Sequence, residues 1–307
     1  MAKSPYPVTR TISALTATIE SDRRFDAVVD RLQKACAKVV DRPPFVNILS
    51  GRSLGHPAHP MLVQMPIGCW SSACVLDFLP SVANRRVART LLGIGNLSVL
   101  PAVASGLVEW VHTRDAERRF GVVHAASNLV ATGLFTVSWW QRRARPTGGR
   151  TASFAGLIVA SFGGWLGGHL AYSRGVGVNT AAFQSLPRDW TAVAKLDQLT
   201  PDGITAADVD GARLVLADVS DAADAADALS VVALESRCTH RGGPLDEGPR
   251  NGNCVTCPWH GSVFALTDGS VRRGPASVPA LVLQTRVRDG QIEVRTEDPG
   301  GLRSAVI

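Results

Sequence analysis

The chain has 307 residues, of which 45% are hydrophobic and 19% are charged, and its mean hydropathy is +0.09. This apolar content is too high and too clustered for a disordered protein, and the length suggests about two domains. The formal net charge of +6 does not indicate nucleic-acid binding. The arginines gather beside apolar stretches, where basic residues favour anionic lipid headgroups, so we expect membrane lipid and no nucleic acid among the partners.

The N-terminal region predicts one amphipathic helix. Residues 1–20 are polar and contain no apolar run of the kind found in a signal peptide. Between Ser21 and Val40, apolar residues recur at helical spacing, with Ser21 as the expected N-cap, and Pro43 and Pro44 end the pattern. We expect this helix to pack on its neighbours or to lie on a membrane surface.

Four apolar segments follow, each about 20 residues long and therefore able to cross a hydrocarbon core of about 30 Å. The segments are Met61–Leu79, Arg89–Val111, Phe120–Trp140 and Ala152–Tyr172. They are rich in small residues, which let helices approach closely. The sequence therefore predicts a four-helix transmembrane α bundle, with a buried soluble bundle as the alternative.

Five of the seven histidines belong to this membrane region, and helices that alternate in direction place all five at one membrane face, together with Glu109. The five are His56, His59, His112, His124 and His169. Ionisable groups inside a membrane are costly and are functional candidates by default. One hypothesis is a haem b or another metal, with His124 and His169 as the axial pair. The alternative is that the segment 56–60 caps the first helix and the other histidines hydrogen-bond across the bundle.

From about Pro187 the pattern changes to short alternating runs with turn signals, which predicts a small all-β domain. The predicted strands are 213–216, 230–234, 263–266, 281–283 and 291–294. Two Asp-Gly pairs, at 268–269 and 289–290, carry a hairpin signal. The Asp-Ala repeat at 218–228 predicts an insertion between strands.

Two half-sites in this β domain carry metal-ligand chemistry: Cys238-Thr-His240 and Cys257-Pro-Trp-His260. Two cysteines and two histidines can hold tetrahedral zinc, but zinc fingers commonly group Cys with Cys and His with His. Here each half-site supplies one of each. A binuclear iron cluster needs that division when one iron takes both thiolates and the other takes both imidazoles.

The segments CTHRGGPLDEG, CPWHGSVFALTDGSV and RRGPASVP resemble the two cluster loops and the proline-bearing third loop of the Rieske [2Fe–2S] proteins, over about residues 188–296. The resemblance implies an all-β iron–sulfur fold. It also implies that Cys238 and Cys257 ligate one iron and that His240 and His260 ligate the other.

The chain departs from the high-potential members of that family around the cluster. Those proteins link the two loops by a disulfide, whereas the matching positions here are Gly243 and Trp259. They also direct a serine and a tyrosine at the cluster, and this chain keeps Ser262 but has Phe264 at the tyrosine position. A lost hydrogen bond to cluster sulfur disfavours the reduced state, so we expect a low-to-intermediate potential. Pro275 is the matching proline of the third loop.

A second resemblance covers about residues 46–178. The stretch LGHPAHPMLVQMPIG, then Asp77, then GVVHAASNL and GGWLGGHLAYSRGVGV are similar to a family of predicted four-helix bacterial membrane domains of unknown function. The expected organisation is therefore an N-terminal amphipathic region, a four-helix transmembrane domain, a Rieske domain and a tail, at residues 1–45, 46–178, 188–296 and 297–307.

These features predict a membrane-anchored one-electron carrier that exchanges electrons with a redox protein or quinone, and with a second centre if the membrane histidines hold one. A cluster-based redox sensor is the alternative. A stand-alone Rieske oxygenase is not expected, because its mononuclear iron needs two further histidines and none follows His260. We expect a multi-pass inner-membrane protein with its Rieske domain on the cytoplasmic face, since no export signal is visible.

Overall fold

The structure is a computed structural model that describes residues 7–24, 26–79, 81–145, 148–220 and 230–296. These residues divide into two compact units. The helical unit comprises the described residues up to Phe45 and Pro57–Val176, and the β unit comprises Val46–His56 and the described residues from Gly177 onward. Phe25, most of the insertion expected at 218–228, and the expected tail lie outside the described residues.

The α-helices are α1 (Pro7–Ser21), α2 (Asp26–Val40), α3 (Phe45–Leu49), α4 (Ala58–Leu62), α5 (Gln64–Leu76), α6 (Val82–Trp110), α7 (Asp115–Ala144) and α8 (Arg150–Gly168). A π-helical turn, His169–Ser173, continues α8. The expected N-cap at Ser21 is wrong, because Ser21 ends α1 and its Oγ donates to the Ala17 carbonyl at 2.8 Å. The predicted amphipathic helix begins instead at Asp26, whose carboxylate suits the positive end of the helix dipole.

Among the described residues, three helices are long and apolar enough to cross a membrane: Val82–Trp110, Asp115–Ala144 and Arg150–Ser173. The first predicted segment differs, because it is divided at Val63 into α4 and α5. Pro66 accounts for the division, since it has no N–H to donate to the Leu62 carbonyl one turn earlier. Three of the four expected spans are therefore found, and the four-helix bundle is not confirmed.

Helices α5 to α8 pack around an aromatic contact and a buried ion pair. The rings of Trp70 and Phe135 stack with their centroids 4.4 Å apart. Asp77, after α5, accepts two hydrogen bonds from Arg142 of α7, at 2.8 and 2.6 Å, and both side chains are 1% exposed. Because an unpaired buried charge is costly, this pair couples the end of α5 to the end of α7.

The β unit contains two antiparallel sheets. Its strands are β1 (Thr191–Lys195), β2 (Thr205–Val209), β3 (Ala212–Asp218), β4 (Val231–Glu235), β5 (Arg250–Asn251), β6 (Cys254–Thr256), β7 (Val263–Ala265), β8 (Val271–Arg273), β9 (Val282–Arg288) and β10 (Gln291–Arg295). The six-stranded sheet has the order β1-β10-β9-β4-β3-β2, and the four-stranded sheet has the order β5-β6-β7-β8. The all-β prediction is confirmed.

One predicted hairpin is found in full detail. Gln291 pairs with Arg288, so Asp289 and Gly290 form a two-residue loop between β9 and β10. Both loop residues have positive φ, 49° and 72°, as a type I′ turn requires. The turn sets the register of the two strands.

Candidate metal centre

The first half-site lies in the loop between β4 and β5. The amide of Cys238 donates to the Gly243 carbonyl at 2.8 Å, and the amide of Gly242 donates to the Cys238 carbonyl at 2.7 Å. Gly242 has φ +75°, a conformation that glycine adopts without strain. These two bonds fold the chain sharply around Cys238 and present Cys238 and His240 from one turn.

The second half-site, between β6 and β7, repeats this pattern. The amide of Cys257 donates to the Ser262 carbonyl at 2.8 Å, and the amide of Gly261, at φ +70°, donates to the Cys257 carbonyl at 3.0 Å. In both loops the cysteine amide therefore bonds five residues ahead and the cysteine carbonyl four residues ahead. Two similar turns present one thiol and one imidazole each.

The four predicted ligand residues come together between these loops. Cys238 and Cys257 are 1% and 2% exposed. A hydrogen bond from the Cys238 thiol, together with main-chain amides of Trp259 and His260, holds the pKa of Cys257 below its ordinary value. These donors stabilise negative charge on sulfur, which metal ligation requires.

The two imidazoles face each other edge to face. The ring centroids of His240 and His260 are 5.2 Å apart, with an interplanar angle of 85°. Two imidazoles bound at about 2.0–2.1 Å to one tetrahedral metal have ring centres about 5 Å apart, so this spacing suits two ligands on a single metal. His240 is buried and His260 is half-buried.

Gly243 allows the first loop to approach the second closely. A Cβ at this position would lie 2.8 Å from Cys257 Sγ and 3.0 Å from Trp259 Cγ. Trp259 remains 46% exposed and lies beside His260, with ring centroids 6.3 Å apart. The positions that hold a disulfide in the high-potential relatives are occupied here by a close glycine–tryptophan contact.

The remaining predicted cluster neighbours line the same region. Ser262 is fully buried, and its Oγ accepts a hydrogen bond from the Ala276 amide at 2.9 Å, which leaves its own hydroxyl hydrogen to donate. Phe264 is fully buried in the core that also contains both cysteines. Pro275 is buried in the loop after β8.

The donor set fits a binuclear iron–sulfur cluster. The thiols are buried together, main-chain amides point at sulfur, and the imidazole spacing matches a shared metal. Within the described parts of the chain, no group of three or more His, Cys, Asp or Glu is arranged to hold a single ion. Structural zinc takes four ligands around one ion.

Comparison with known proteins agrees with this geometry. Residues 189–289 match the family model described as "Rieske [2Fe-2S] domain". This segment is a Rieske domain. Residues 55–180 match a second model, "Predicted membrane protein (DUF2231)", so the chain carries a DUF2231 membrane domain followed by a C-terminal Rieske domain.

The relatives of the Rieske domain include small ferredoxins. Ferredoxin CarAc of Metapseudomonas resinovorans is 29% identical over 109 residues, which cover 35% of this chain and 94% of that protein. The anthranilate 1,2-dioxygenase ferredoxin subunit of Burkholderia cepacia is 26% identical over 106 residues, or 34% of this chain and 91% of that protein. Cytochrome b6-f complex iron-sulfur subunit 1 of a Synechocystis species is 42% identical over 66 residues, or 21% and 35% of the two chains.

Among solved structures, the ferredoxin of carbazole 1,9a-dioxygenase from Nocardioides aromaticivorans has 29% identity and a TM-score of 0.31. The match covers 35% of this chain and 98% of that chain.

The structure divides the six candidate residues of the membrane region among different surroundings and brings two of the histidines together. His59 and His124 form a pair with ring centroids 6.4 Å apart. His169 packs on Phe120 and Trp165 at 4.7 and 5.8 Å, so the arrangement differs from the predicted axial pair of His124 with His169.

The other three candidates lie in different surroundings. The Nε2 atom of His112 lies 3.7 Å from Asp41 Oδ1. His56 is exposed and belongs to the β unit. Glu109 is close enough to His59 for an electrostatic interaction.

Sequence reasoning missed the part that Val46–His56 plays in the β unit. Asn47 Oδ1 accepts from the Gly274 amide at 2.9 Å, and Arg52 Nη1 donates to the Arg272 carbonyl at 2.7 Å. Arg273 links the third loop to the second, because its Nη1 donates to the Gly261 carbonyl at 2.8 Å. The contacts of Asn47 and Arg52 join residues more than 200 positions apart, so no local sequence pattern predicts them.

Proposed function

We propose that this protein is a membrane-anchored one-electron carrier. The observation that carries the proposal is the convergence of Cys238, His240, Cys257 and His260 in two matching loops of a Rieske domain. When bound, a [2Fe–2S] cluster supplies a one-electron couple between its oxidised and singly reduced states. Membrane anchoring is supported by the DUF2231 match and by the three long apolar helices.

The residues around the site define an asymmetric environment for electron exchange. The cysteine side is buried, whereas the histidine side carries the half-buried His260 beside the exposed indole of Trp259. A partner that docks at the histidine edge comes closest to the metal ligands. We propose this edge as the place where electrons enter and leave.

The same residues favour a low-to-intermediate reduction potential. Ser262 can donate one hydrogen bond toward the cluster, but Phe264 offers no second donor. Hydrogen bonds to cluster sulfur stabilise the more negative reduced state, so one donor fewer lowers the potential. We expect a midpoint in the lower part of the Rieske range of roughly −150 to +300 mV.

The proposal also includes a fourth membrane-spanning segment and the side of the membrane on which the Rieske domain lies. We propose that α4 and α5, separated only by Val63, cross the membrane together, and that the Rieske domain faces the cytoplasm. The support is their combined length, about 28 Å at 1.5 Å per residue. A reporter fused after Ile307 tests the side, and alkaline phosphatase activity there contradicts it.

The full-length protein purified in detergent tests the electron-carrier function. We expect about two iron atoms per chain, an electron paramagnetic resonance signal of the Rieske type after dithionite reduction, and reoxidation by decylubiquinone or cytochrome c with one electron delivered per chain. Reduction without electron delivery to any acceptor favours a redox sensor. Lack of iron contradicts both functions.

A further inference from the structure

The helical unit contains a second pair of imidazoles that is built like a ligand site. His59 lies on α4 and His124 on α7, and their rings meet at 6.4 Å between centroids with an interplanar angle of 74°. Both residues lie in the same compact unit, so the pair belongs to one packed body.

Each ring is held by the main chain of a neighbouring helix. His59 Nδ1 donates to the Ala102 carbonyl at 2.9 Å, and His124 Nδ1 donates to the Gly163 carbonyl at 2.8 Å. A carbonyl oxygen only accepts, so the hydrogen of each neutral ring is on Nδ1 and the lone pair is on Nε2. The amide nitrogen of Asn128 lies 3.4 Å from both ring nitrogens of His124, and a metal on Nε2 would replace that contact. Metal-bound histidines characteristically donate their second ring N–H in this way, which fixes the tautomer and the orientation of the ring.

Glycines make room for both rings. A Cβ on Gly106 of α6 would lie 2.9 Å from His59 Cε1, and a Cβ on Gly167 of α8 would lie 3.1 Å from His124 Cε1. Any larger residue at Gly106 would push the His59 ring from its place. The two helices that supply the carbonyl acceptors therefore also supply the space.

The spacing of the rings indicates the kind of metal centre. Two imidazoles on opposite sides of one metal, each bound at about 2.0–2.1 Å, have ring centres about 6–6.5 Å apart. The 6.4 Å between the ring centroids of His59 and His124 agrees with this value, whereas the 5.2 Å between those of His240 and His260 agrees with two adjacent tetrahedral positions. Opposed imidazoles complete the axial positions of an iron whose other four ligands come from a porphyrin.

We propose that His59 and His124 bind a haem through their Nε2 atoms. The physiological role of this site rests on the proposed electron-transfer function. In that role the haem iron exchanges one electron with the Rieske cluster. The haem becomes ferrous when the reduced cluster returns to its oxidised state, so one electron is lost by the cluster and one is gained by the haem.

Haem titration of the full-length protein in detergent tests the site. The probe is hemin, added to protein from which any co-purified haem has been extracted, and binding is followed by the Soret band. We expect one hemin per chain with the sharp visible bands of a six-coordinate low-spin iron. His59→Gln and His124→Gln should each weaken hemin binding at least tenfold or lose the low-spin bands, and His169→Gln should leave both unchanged.

Two further measurements keep a folding defect from imitating the result. The Rieske signal in the same samples reports whether the cluster domain is intact, and added imidazole should restore the low-spin bands to His59→Gly. No hemin uptake by the wild-type protein overturns the proposal, as does loss of uptake only in His169→Gln. One bound non-porphyrin metal per chain that both histidine variants lose also overturns it. In each of these cases an intact, electron-transferring cluster leaves the proposed function standing.

Discussion

The two histidine pairs of this protein meet edge to face in both cases, yet they are built in opposite ways. His240 and His260 project from short turns in which each histidine follows its cysteine by two or three residues. His59 and His124 lie on helices and are oriented by carbonyls of two other helices. The first pair is encoded by local spacing, and the second is produced by helix packing. A motif search can therefore find the first and not the second.

Among these predictions, removal of a cluster ligand has the largest expected effect, and it acts on the site that contains His240 and His260. Cys257→Ser should abolish the cluster, because it removes one of the four ligands from a buried site. Cys254→Ser is the matched control, because Cys254 lies on β6 three residues before Cys257. This variant should retain its iron. Iron content and the Rieske resonance signal measure both. Loss of iron from both variants would contradict the ligand assignment.

Closing the gap between the two cluster loops is the next strongest change. Gly243→Val should reduce cluster content severalfold or more, because its Cβ alone would lie 2.8 Å from Cys257 Sγ. The control is Gly252→Asn, at a position with φ +56° and no heavy atom within 4 Å of the added Cβ. Asparagine tolerates that conformation, so this variant should keep its cluster. A normal cluster in Gly243→Val would show that the loops need not approach closely.

The pair of His59 and His124 depends on helix packing, so its site should be sensitive to changes that destabilise the helical unit. Arg142→Met leaves the buried Asp77 carboxylate with Arg150 as its one cationic neighbour among the described residues, at 3.7 Å from Arg150 Nε, and should destabilise the helical unit by about 3 kcal/mol. Arg143→Met, at an exposed neighbour, should cost less than about 1 kcal/mol. Thermal unfolding in detergent compares them. Equal stability of the two variants would show that the ion pair does not stabilise the helical unit.

The smallest expected effect is on the reduction potential of the Rieske cluster. Phe264→Tyr adds a hydroxyl donor at the position where the resemblance expects one. A hydrogen bond about 1.4 kcal/mol stronger in the reduced state raises a one-electron potential by about 59 mV. Phe264→Leu should leave the potential nearly unchanged, because it adds no donor. A redox titration in which the midpoint potential of Phe264→Tyr is lower than that of the wild-type protein would contradict this role.

Sequence reasoning was most successful where function depends on neighbours along the chain. The meeting of the two Cys-His loops, the hairpin at 289–290 and three long apolar helices could all be predicted, because each depends on spacing within about thirty residues. It was weakest at element boundaries. Ser21 has the side chain of an N-cap, but the chain continues α1 through it, and α2 begins at Asp26. Pro66 divides a segment whose hydropathy is continuous.

The sequence by itself determined the chemistry of the Rieske domain, because Cys-x-His and Cys-x-x-His spacing limits how two tight turns can present their ligands. Only the tertiary structure decided which helical histidines meet. That choice depends on helix packing, on the glycines at 106 and 167, and on carbonyls 39 to 43 residues away from the rings they hold. Only the tertiary structure likewise placed Asn47 and Arg52 against the third cluster loop, since contacts between residues so distant in sequence leave no periodic trace.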